Sequence, residues 1–270
     1  MTDDESEDLV IARKKFSEWN VEFAYHPMMR SFTRDKSISL VFNSNRLEST
    51  LPIGLKYSNT YKMLKDVSLD SPASITAWNS DGKLGNKKCQ LIQHLKAFKY
   101  MMSLKKLTLE EILKTHDILM LGAVSDDGSP ILNGKFRTFG VNNGVDNYMS
   151  HELVEENLER LVAWYGNVDK TDPIDVAYKL FWKFLKIHPF EDGNGRIARL
   201  LVAYHMCSSG TPFPVCVTSG KRRSRKHYYN AIKREDLLYC SRTDLYTLIA
   251  QSVYLGWKNF LNLKNSVEIF

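Results

Sequence analysis

The stretch His188-Pro-Phe-Glu-Asp-Gly-Asn-Gly-Arg-Ile-Ala-Arg199 decides how this chain is interpreted. One apolar, helix-patterned segment (176–187) precedes it and another (197–206) follows it, so the turn Gly193-Asn194-Gly195 stands at the start of a helix. The first N–H groups of a helix have no intrahelical partner and carry partial positive charge, and together they hold phosphate. Because glycine lacks Cβ, the backbone can approach an anion closely here. The turn therefore predicts an anion-binding nest.

The side chains around this turn add further groups for phosphoryl chemistry. Histidine titrates near neutrality, so His188 can accept a proton from an attacking hydroxyl. Asp192 is a hard oxygen ligand of the kind that Mg²⁺ takes beside phosphates, and Asn194 can donate to a phosphate oxygen. Arg196 and Arg199 share one face of the second helix, where their guanidinium groups can clamp a polyphosphate.

The stretch resembles the signature of the Fic (Fido) family of protein nucleotidyltransferases, H-P-F-x-D/E-G-N-G-R-x-x-R, and matches every specified position. The resemblance implies a mainly α-helical Fic fold with a short β-hairpin flap. It also implies Mg²⁺-dependent transfer of AMP from ATP to a Ser, Thr or Tyr hydroxyl of a target protein. His188 would be the general base, Asp192 the metal ligand and Phe190 a structural anchor of the loop. The residues expected to contact the phosphates are Gly193, Asn194, Gly195, Arg196 and Arg199.

A second motif, Ser44-Asn45-Arg46-Leu47-Glu48, lies upstream in a predicted helix (about 37–50). It resembles the inhibitory helix of many Fic proteins, S/T-x-x-x-E-G/N, whose glutamate pairs with the second arginine of the signature. Glu48 would then occupy the Arg199 guanidinium that should receive the γ-phosphate. Ser49 stands where the family has Gly or Asn, which questions how the helix ends. By the same analogy this glutamate can align a water that removes AMP, so Glu48 is either a brake or a hydrolytic residue.

The segment 135–149 predicts a short β-hairpin that turns at Asn142-Asn143-Gly144, with Gly134 allowing a sharp entry. Its position resembles that of the Fic flap, which covers the nucleotide and holds the target by adding a strand. A surface hairpin without a partner is the alternative. Four residues are the candidate target contacts: Lys135, Phe136, Arg137 and Thr138.

Tyr228 and Tyr229 follow the strongest run of positive charge, residues 221–227. The Fic family has a tyrosine pair beside the nucleoside, so these two are the candidates for adenine contact; the alternative is that both belong to the core. The basic run is expected to be a solvated loop at the rim of the nucleotide pocket. An import signal and a nucleic-acid patch remain alternatives for this run.

Three domains are expected along the chain: an N-terminal helical lobe with a linker (1–86), the Fic core (87–262) and a C-terminal tail (263–270). Helical periodicity predicts core helices at 89–102, 151–165, 231–236 and 245–261. Thr108 and Glu111 form a capping box for another helix, 109–120, on which the isolated His116 is expected to be structural. His26-Pro27 should end a helix over 9–23.

Composition limits the classes of protein that remain. The 270 residues are 43% apolar and 25% charged, with a formal charge of +6, which is ordinary for a globular chain. The sequence has no basic stripe interleaved with aromatic residues, so its charge is weak evidence for nucleic-acid binding. Cys89, Cys207, Cys216 and Cys240 lack zinc-ligand spacing, which favours free thiols. The acidic N-terminus (1–8) is unlike a signal peptide and no apolar run could cross a membrane, so a cytoplasmic or nuclear setting is expected.

Three functions follow from these patterns. The first is an adenylyltransferase restrained by Glu48, the second is a hydrolase in which Glu48 orients water to remove AMP, and the third is a nucleotide-sensing interaction module without catalysis. The target protein, the modified hydroxyl and the preferred base of the nucleotide stay open. So do self-modification and assembly into a homo-oligomer.

Overall fold

The computed structural model describes residues 15–65, 82–125, 128–142, 148–217, 222–237 and 244–268, and these are mainly helical. Outside the described residues lie the acidic N-terminus (1–8), most of the predicted linker, the predicted hairpin turn at 143–144, and Cys240. We label the helices α1 (15–23), α2 (Met29–Leu47), α3 (Tyr57–Leu64), α4 (Gly82–Ser103), α5 (Leu109–Met120), α6 (Val154–Asn167), α7 (Pro173–Ile187), α8 (Asn194–Ser208), α9 (Arg222–Leu237) and α10 (Asp244–Glu268).

Local sequence explains where several helices begin. Thr108 caps α5 by accepting a hydrogen bond from the Glu111 N–H at 3.2 Å, so the N-cap half of the predicted capping box sets the start of this helix, while the Glu111 carboxylate accepts from the Tyr100 hydroxyl instead. Asp172 caps α7 in the same way, accepting from the Asp175 N–H at 3.0 Å, and Pro173 occupies the first turn. The fixed φ of proline suits this position, where its missing N–H would have had no partner.

Other helix boundaries differ from those that hydrophobic periodicity predicts. Helix α2 begins at Met29 rather than near residue 37, α9 begins at Arg222 rather than Ala231, and α10 continues to Glu268 beyond the predicted end of the core. The basic run is therefore helical from Arg222 onward and not a loop, since lysine and arginine are good helix formers when their head groups reach water. Within the part of the chain that the structure describes, an isolated antiparallel bridge joins Val124 to Pro130.

The core is centred on the antiparallel pair α7 and α8, which the signature loop joins. Helix α2 lies against α4 and α8, so the segment with Glu48 is held beside the loop. Buried hydrophobic residues form one cluster that includes Phe23 and Phe32 near the N-terminus together with Phe213, Trp257 and Phe260. Phe32 meets Phe213 edge to face at 5.3 Å between ring centroids. The N-terminal helices thus share the core of the later ones.

Candidate active site

The signature loop leaves α7 through a left-handed residue. His188 ends α7 at φ 49°, a conformation that costs energy for a residue with a side chain. Arg137 offsets this cost, because its backbone N–H donates to the Pro189 carbonyl at 3.0 Å and its Nε donates to the His188 carbonyl at 2.7 Å. The conformation that turns the histidine toward the loop is therefore fixed by a residue from another segment.

The His188 ring is half-buried and stacks on Tyr148, with 3.7 Å between centroids and 15° between planes. Burial lowers the pKa of His188 to about 4, an effect that a backbone hydrogen bond to Leu185 opposes and the nearby Arg137 charge reinforces. The imidazole is consequently neutral at physiological pH. A neutral imidazole is the form that can accept a proton.

Asp192 presents its carboxylate at the loop surface, with about half of the side chain (48%) exposed. One oxygen accepts from the Gly193 N–H at 2.6 Å and the other from Arg196 Nη2 at 2.8 Å. Desolvation acts to raise the pKa of Asp192, but Arg196 and the Gly193 N–H outweigh it and the pKa lies below its ordinary value. Arg196 is fully buried and also donates to Gln90 Oε1 at 2.9 Å, so it holds Asp192 from a fixed position.

Asn194 closes the loop on itself. Its Oδ1 accepts from the Phe190 N–H at 3.0 Å and its Nδ2 donates to the Phe190 carbonyl at 2.8 Å. Both ends of the carboxamide are used in this way, and the side chain is buried. Asn194 therefore shapes the loop in this conformation, which differs from the phosphate contact expected of it from the sequence.

The two glycines of the turn are required for different reasons. Gly193 has φ 81°, and a Cβ there would lie 3.0 Å from Met120 Sδ and 3.3 Å from His116 Nε2. Gly195 has an ordinary helical backbone, but a Cβ there would clash with Glu48 Oε1. The glutamate carboxylate therefore lies directly over the start of α8, where the sequence predicts phosphate.

Arg199 is buried, and the end of α2 surrounds it. Its Nε donates to Ser44 Oγ at 2.7 Å and its Nη2 to the Ser44 carbonyl at 3.3 Å. Nη2 also forms a salt bridge with Glu48, whose side chain is 26% exposed. On the other side, Nη1 donates to the Tyr228 hydroxyl at 2.7 Å. All three nitrogens of the guanidinium thus have partners, and two of these partners belong to the predicted inhibitory motif.

The end of α2 forms despite the departure at Ser49. The Ser49 N–H donates to the Arg46 carbonyl at 3.3 Å and the Thr50 N–H donates to the Asn45 carbonyl at 3.0 Å, which is the Schellman pattern. Ser49 takes the left-handed position of that motif at φ 59°, which Gly or Asn normally fills. The serine thus occupies the conformation that the family residue would, and Glu48 is presented at the helix end.

Tyr228 and Tyr229 lie on α9 and contact α2 as well as the arginine. Tyr228 is 2% exposed and touches Arg199, whereas the Tyr229 hydroxyl donates to the Leu47 carbonyl at 3.0 Å. Next to them Arg225 donates to Ser49 Oγ at 2.9 Å. In this conformation Tyr228 has no surface to offer to an adenine, because its ring is in the core; Tyr229 is partly buried.

The four candidate target contacts divide into two groups. Lys135 and Thr138 are exposed. Phe136 is partly buried and lies parallel to Phe190 at 6.4 Å. Arg137 corrects the expectation, because it is 2% exposed and turned inward. Its guanidinium donates to four backbone carbonyls, those of His188, Phe139, Met149 and Ile187.

The predicted hairpin is only partly described. The Tyr148 N–H donates to the Val141 carbonyl at 3.1 Å, so the two sides of the segment approach each other. Asn142 is described, whereas Asn143 and Gly144 lie outside the described residues.

Three further side chains support the site although the sequence reading gave none of them a part in it. Gln90 accepts from Arg196, and His94 receives a hydrogen bond at 2.8 Å from Asn45 of the motif on α2. His116 stacks face to face on Phe190 at 3.6 Å. Two of them are histidines within helical patterns, and only the packing of the helices shows that His94 meets the motif on α2 and His116 meets the loop.

The residues present fit a Mg²⁺ ion that is held largely by its substrate. Among the described residues there is no group of three or more His, Cys, Asp or Glu side chains that could hold a metal by itself. Asp192 is a hard, half-exposed carboxylate at the mouth of the loop. One carboxylate together with phosphate oxygens and waters is the usual way in which Mg²⁺ is bound at nucleotide sites.

Comparison with known proteins places the chain in a family. The Fic/DOC family model matches residues 106–206. A Fido domain-containing protein of Dictyostelium discoideum is 32% identical over 141 residues, which is 50% of this chain and 96% of that protein. The chain is a member of the Fic/DOC family. Among its described residues, no helix is both long and apolar enough to span a membrane, and Cys89, Cys207 and Cys216 are not joined in disulfides.

Longer relatives match this Fic/DOC chain over part of their length. Protein adenylyltransferase fic-1 of Caenorhabditis elegans is 33% identical over 129 residues, which is 47% of this chain but 24% of that protein. The chain therefore spans about a quarter of the length of that relative. Protein adenylyltransferase Fic of Drosophila grimshawi is 29% identical over 159 residues.

Solved structures show the same fold. The structure of C. elegans Fic-1 has a TM-score of 0.75 at 22% identity, covering 97% of this chain and 73% of that one. A Fic family protein from Desulfovibrio desulfuricans has a TM-score of 0.70 at 16% identity, covering 98% and 76%. At these identities the likeness concerns the fold alone.

Proposed function

We propose that the protein transfers AMP from ATP to a hydroxyl of a target protein, and that Glu48 restrains this activity. The observation that carries the proposal is the arrangement around Arg199. Ser44, Glu48 and Tyr228 engage its guanidinium, and the Glu48 carboxylate covers Gly195 at the start of α8. A polyphosphate in the nest would need both places. The naming of several relatives as adenylyltransferases supports the reaction class.

His188 acts as the general base in this proposal. The oxygen of the target hydroxyl attacks the α-phosphorus of ATP, the bond from that phosphorus to the bridging oxygen breaks, and pyrophosphate leaves. The hydroxyl proton passes to His188. Because burial holds the pKa of His188 at about 4, the imidazole is free to accept this proton at neutral pH.

Asp192 would hold Mg²⁺, which neutralises charge on the phosphates when bound. Arg196 keeps the Asp192 carboxylate in place, because it is itself tied to Gln90. The backbone N–H groups of Asn194 and Gly195, at the start of α8, would face the α-phosphate, whereas the Gly193 N–H is held by Asp192. Arg199 becomes available to the terminal phosphates only when Glu48 withdraws.

The flap would bind the target through its backbone. Lys135 and Thr138 are exposed at its first side, while the buried Arg137 ties both sides of the segment to the carbonyl of His188. A target strand added to this edge would therefore lie in a fixed relation to the base. The hairpin form of the flap is part of this proposal.

AMP removal is the second candidate, and a specific observation favours it. The Glu48 carboxylate is 26% exposed and lies over Gly195, in the same signature loop that begins at His188. A partly exposed carboxylate near His188 is suitably placed to orient a water molecule toward a modified target. This activity would be indicated if the wild type releases AMP from a modified protein and Glu48→Gly does not.

The decisive test uses α-labelled ATP and Mg²⁺ with the wild type, Glu48→Gly and Glu48→Gly/His188→Ala, and follows label on the protein and on a cell extract. Glu155→Gly, which removes an exposed glutamate from α6, is the matched control. We expect label mainly with Glu48→Gly and none after the His188 change. ATP binding without label from any variant would overturn the transferase and favour AMP removal or a non-catalytic nucleotide sensor.

A further inference from the structure

His116 connects two parts of the site that the sequence places far apart. Its ring lies between the flap entry and the metal-binding end of the signature loop, and it is fully buried. Nδ1 accepts a hydrogen bond from the Gly134 N–H at 3.0 Å, and Nε2 is 3.0 Å from the Asp192 carbonyl oxygen. One side chain therefore contacts both the start of the flap and the backbone of the proposed Mg²⁺ ligand.

The two partners determine which nitrogen carries the proton. A backbone N–H can only donate, so Nδ1 must be unprotonated to accept from Gly134. A carbonyl oxygen can only accept, so Nε2 must carry the hydrogen that points to Asp192. The neutral Nε2–H form satisfies both bonds at once. The histidine thus acts as a polar bridge of fixed direction rather than as a spare base.

Packing fixes the position of this bridge. The ring stacks on Phe190 with 3.6 Å between centroids and 9° between planes. On one side, a Cβ at Gly193 would lie 3.3 Å from Nε2. On the other side, a Cβ at Gly134 would lie 2.9 Å from Asp117 Cβ. Both glycine turns are thus closely packed on α5, and a shift of the ring would move both.

We propose that His116 is a positioning residue, which sets the Asp192 backbone through Nε2 and the flap entry through Nδ1. This inference rests on the proposed function only in naming Asp192 as the metal ligand and the flap as the target site. The bond to the Asp192 carbonyl orients the residue whose carboxylate would hold Mg²⁺. The bond to Gly134 fixes where the segment with Lys135 and Thr138 begins.

The chemistry of side-chain amides allows the two bonds to be separated. The Asn Oδ1 occupies nearly the place of the histidine Nδ1, so His116→Asn keeps an acceptor for Gly134 and loses the donor to Asp192. The Gln Nε2 occupies nearly the place of the histidine Nε2, so His116→Gln keeps the donor to Asp192 and loses the acceptor. His116→Phe preserves the stack on Phe190 but removes both bonds.

His205 provides a matched control on α8. It is also fully buried, its Nε2 lies 2.9 Å from the Pro173 carbonyl oxygen and its Nδ1 lies 3.1 Å from the Tyr165 hydroxyl. The Tyr165 hydroxyl can donate to Nδ1, so His205 fits the same tautomer between the same kinds of partner. These bonds tie helices together away from the signature loop, so His205→Asn reproduces the loss of one buried bond without touching the site.

The experiment measures Mn²⁺ binding by the electron paramagnetic resonance of free Mn²⁺, in the presence of α,β-methylene-ATP, in the Glu48→Gly background. This nucleotide cannot release pyrophosphate, so the readout does not depend on transfer. We expect His116→Asn and His116→Phe to weaken Mn²⁺ binding by about tenfold, as losses next to a metal ligand usually do. His116→Gln and His205→Asn should stay within about threefold of the parent, below the usual range for such losses.

Equal weakening by the Asn and Gln variants of His116 would overturn the proposal, because it would mean that any change at this buried site disturbs the metal. Unchanged binding in His116→Phe would overturn it too, as would a parent that binds no Mn²⁺. If the parent transfers AMP, His116→Gln should raise the KM for the target while keeping the Mn²⁺ affinity. If the parent binds Mn²⁺ but transfers no AMP, the proposed transferase function is contradicted, while the comparison of the His116 variants can still be made.

Discussion

At the scale of single residues, the pKa of His188 determines how the proposed reaction should respond to pH. Burial lowers this pKa to about 4, so the base is neutral throughout the range in which the protein would be assayed. In Glu48→Gly we expect kcat/KM for the target to stay flat from pH 8 to pH 6, because kcat/KM reports the free enzyme. Removing Glu48 also removes a charge that raises the pKa of His188. Measured profiles with a fall centred near pH 6.5 would contradict this assignment.

Ser49 offers a second test of a single residue. Its left-handed φ of 59° costs a non-glycine residue about 1 kcal/mol. Ser49→Gly should therefore raise the free energy of unfolding by roughly 0.5–1 kcal/mol relative to Ser49→Ala, which keeps Cβ. Both variants lose the hydroxyl that accepts from Arg225, so their difference isolates the backbone. Urea unfolding measures it, and equal stabilities would show that the turn carries no such strain.

At the scale of elements, α9 contacts the end of α2 that carries Glu48. The Tyr229 hydroxyl donates to the Leu47 carbonyl, one residue before Glu48. A hydrogen bond of this kind contributes about 0.5–1.5 kcal/mol to holding the end of α2 in place. Tyr229→Phe, in a protein that keeps Glu48, should therefore raise the rate of AMP transfer by roughly two- to tenfold. Labelling with α-labelled ATP measures this directly.

Tyr61→Phe is the control for that change. Tyr61 donates to the Asp35 carboxylate at 2.8 Å and so contacts an earlier part of α2. We expect little change in transfer from this variant. If Tyr229→Phe instead raised the KM for ATP without raising transfer, Tyr229 would be an adenine contact, as its position in the sequence suggests.

The elements also show what the sequence could and could not supply. The signature gave the loop, and the capping box gave the start of α5 at Leu109. The inward turn of Arg137 could not be predicted, because an arginine in a glycine-bounded segment looks solvent-exposed until its four carbonyl partners are assembled. The start of α2 was also missed. In its first part only Met29, Phe32 and Ser37 are buried, so too few apolar residues mark a helical period there.

At the scale of the whole molecule, three buried histidines make stability sensitive to acid. His94, His116 and His205 are each fully buried. Desolvation lowers the pKa of His116 and His205 to about 4 and that of His94 well below its ordinary value. In the unfolded chain each would titrate near its ordinary pKa of about 6.5. The folded state therefore binds fewer protons between these values.

The sign of the effect follows from the lowered pKa values. The stability that depends on neutral histidines is fully present above about pH 6.5 and is lost as the pH falls toward 4, since the unfolded chain takes up protons that the folded chain excludes. Each histidine adds a slope of up to about 1.4 kcal/mol per pH unit, and His188, whose pKa is also lowered to about 4, adds a fourth, so the four together approach roughly 5 kcal/mol per unit near pH 5. Urea unfolding at pH 7.5, 6 and 5 should show this steepening. His205→Gln should lower the slope by about one proton, because the pKa of His205 is held down by burial. An unchanged slope in this variant would mean that His205 becomes protonated inside the folded protein.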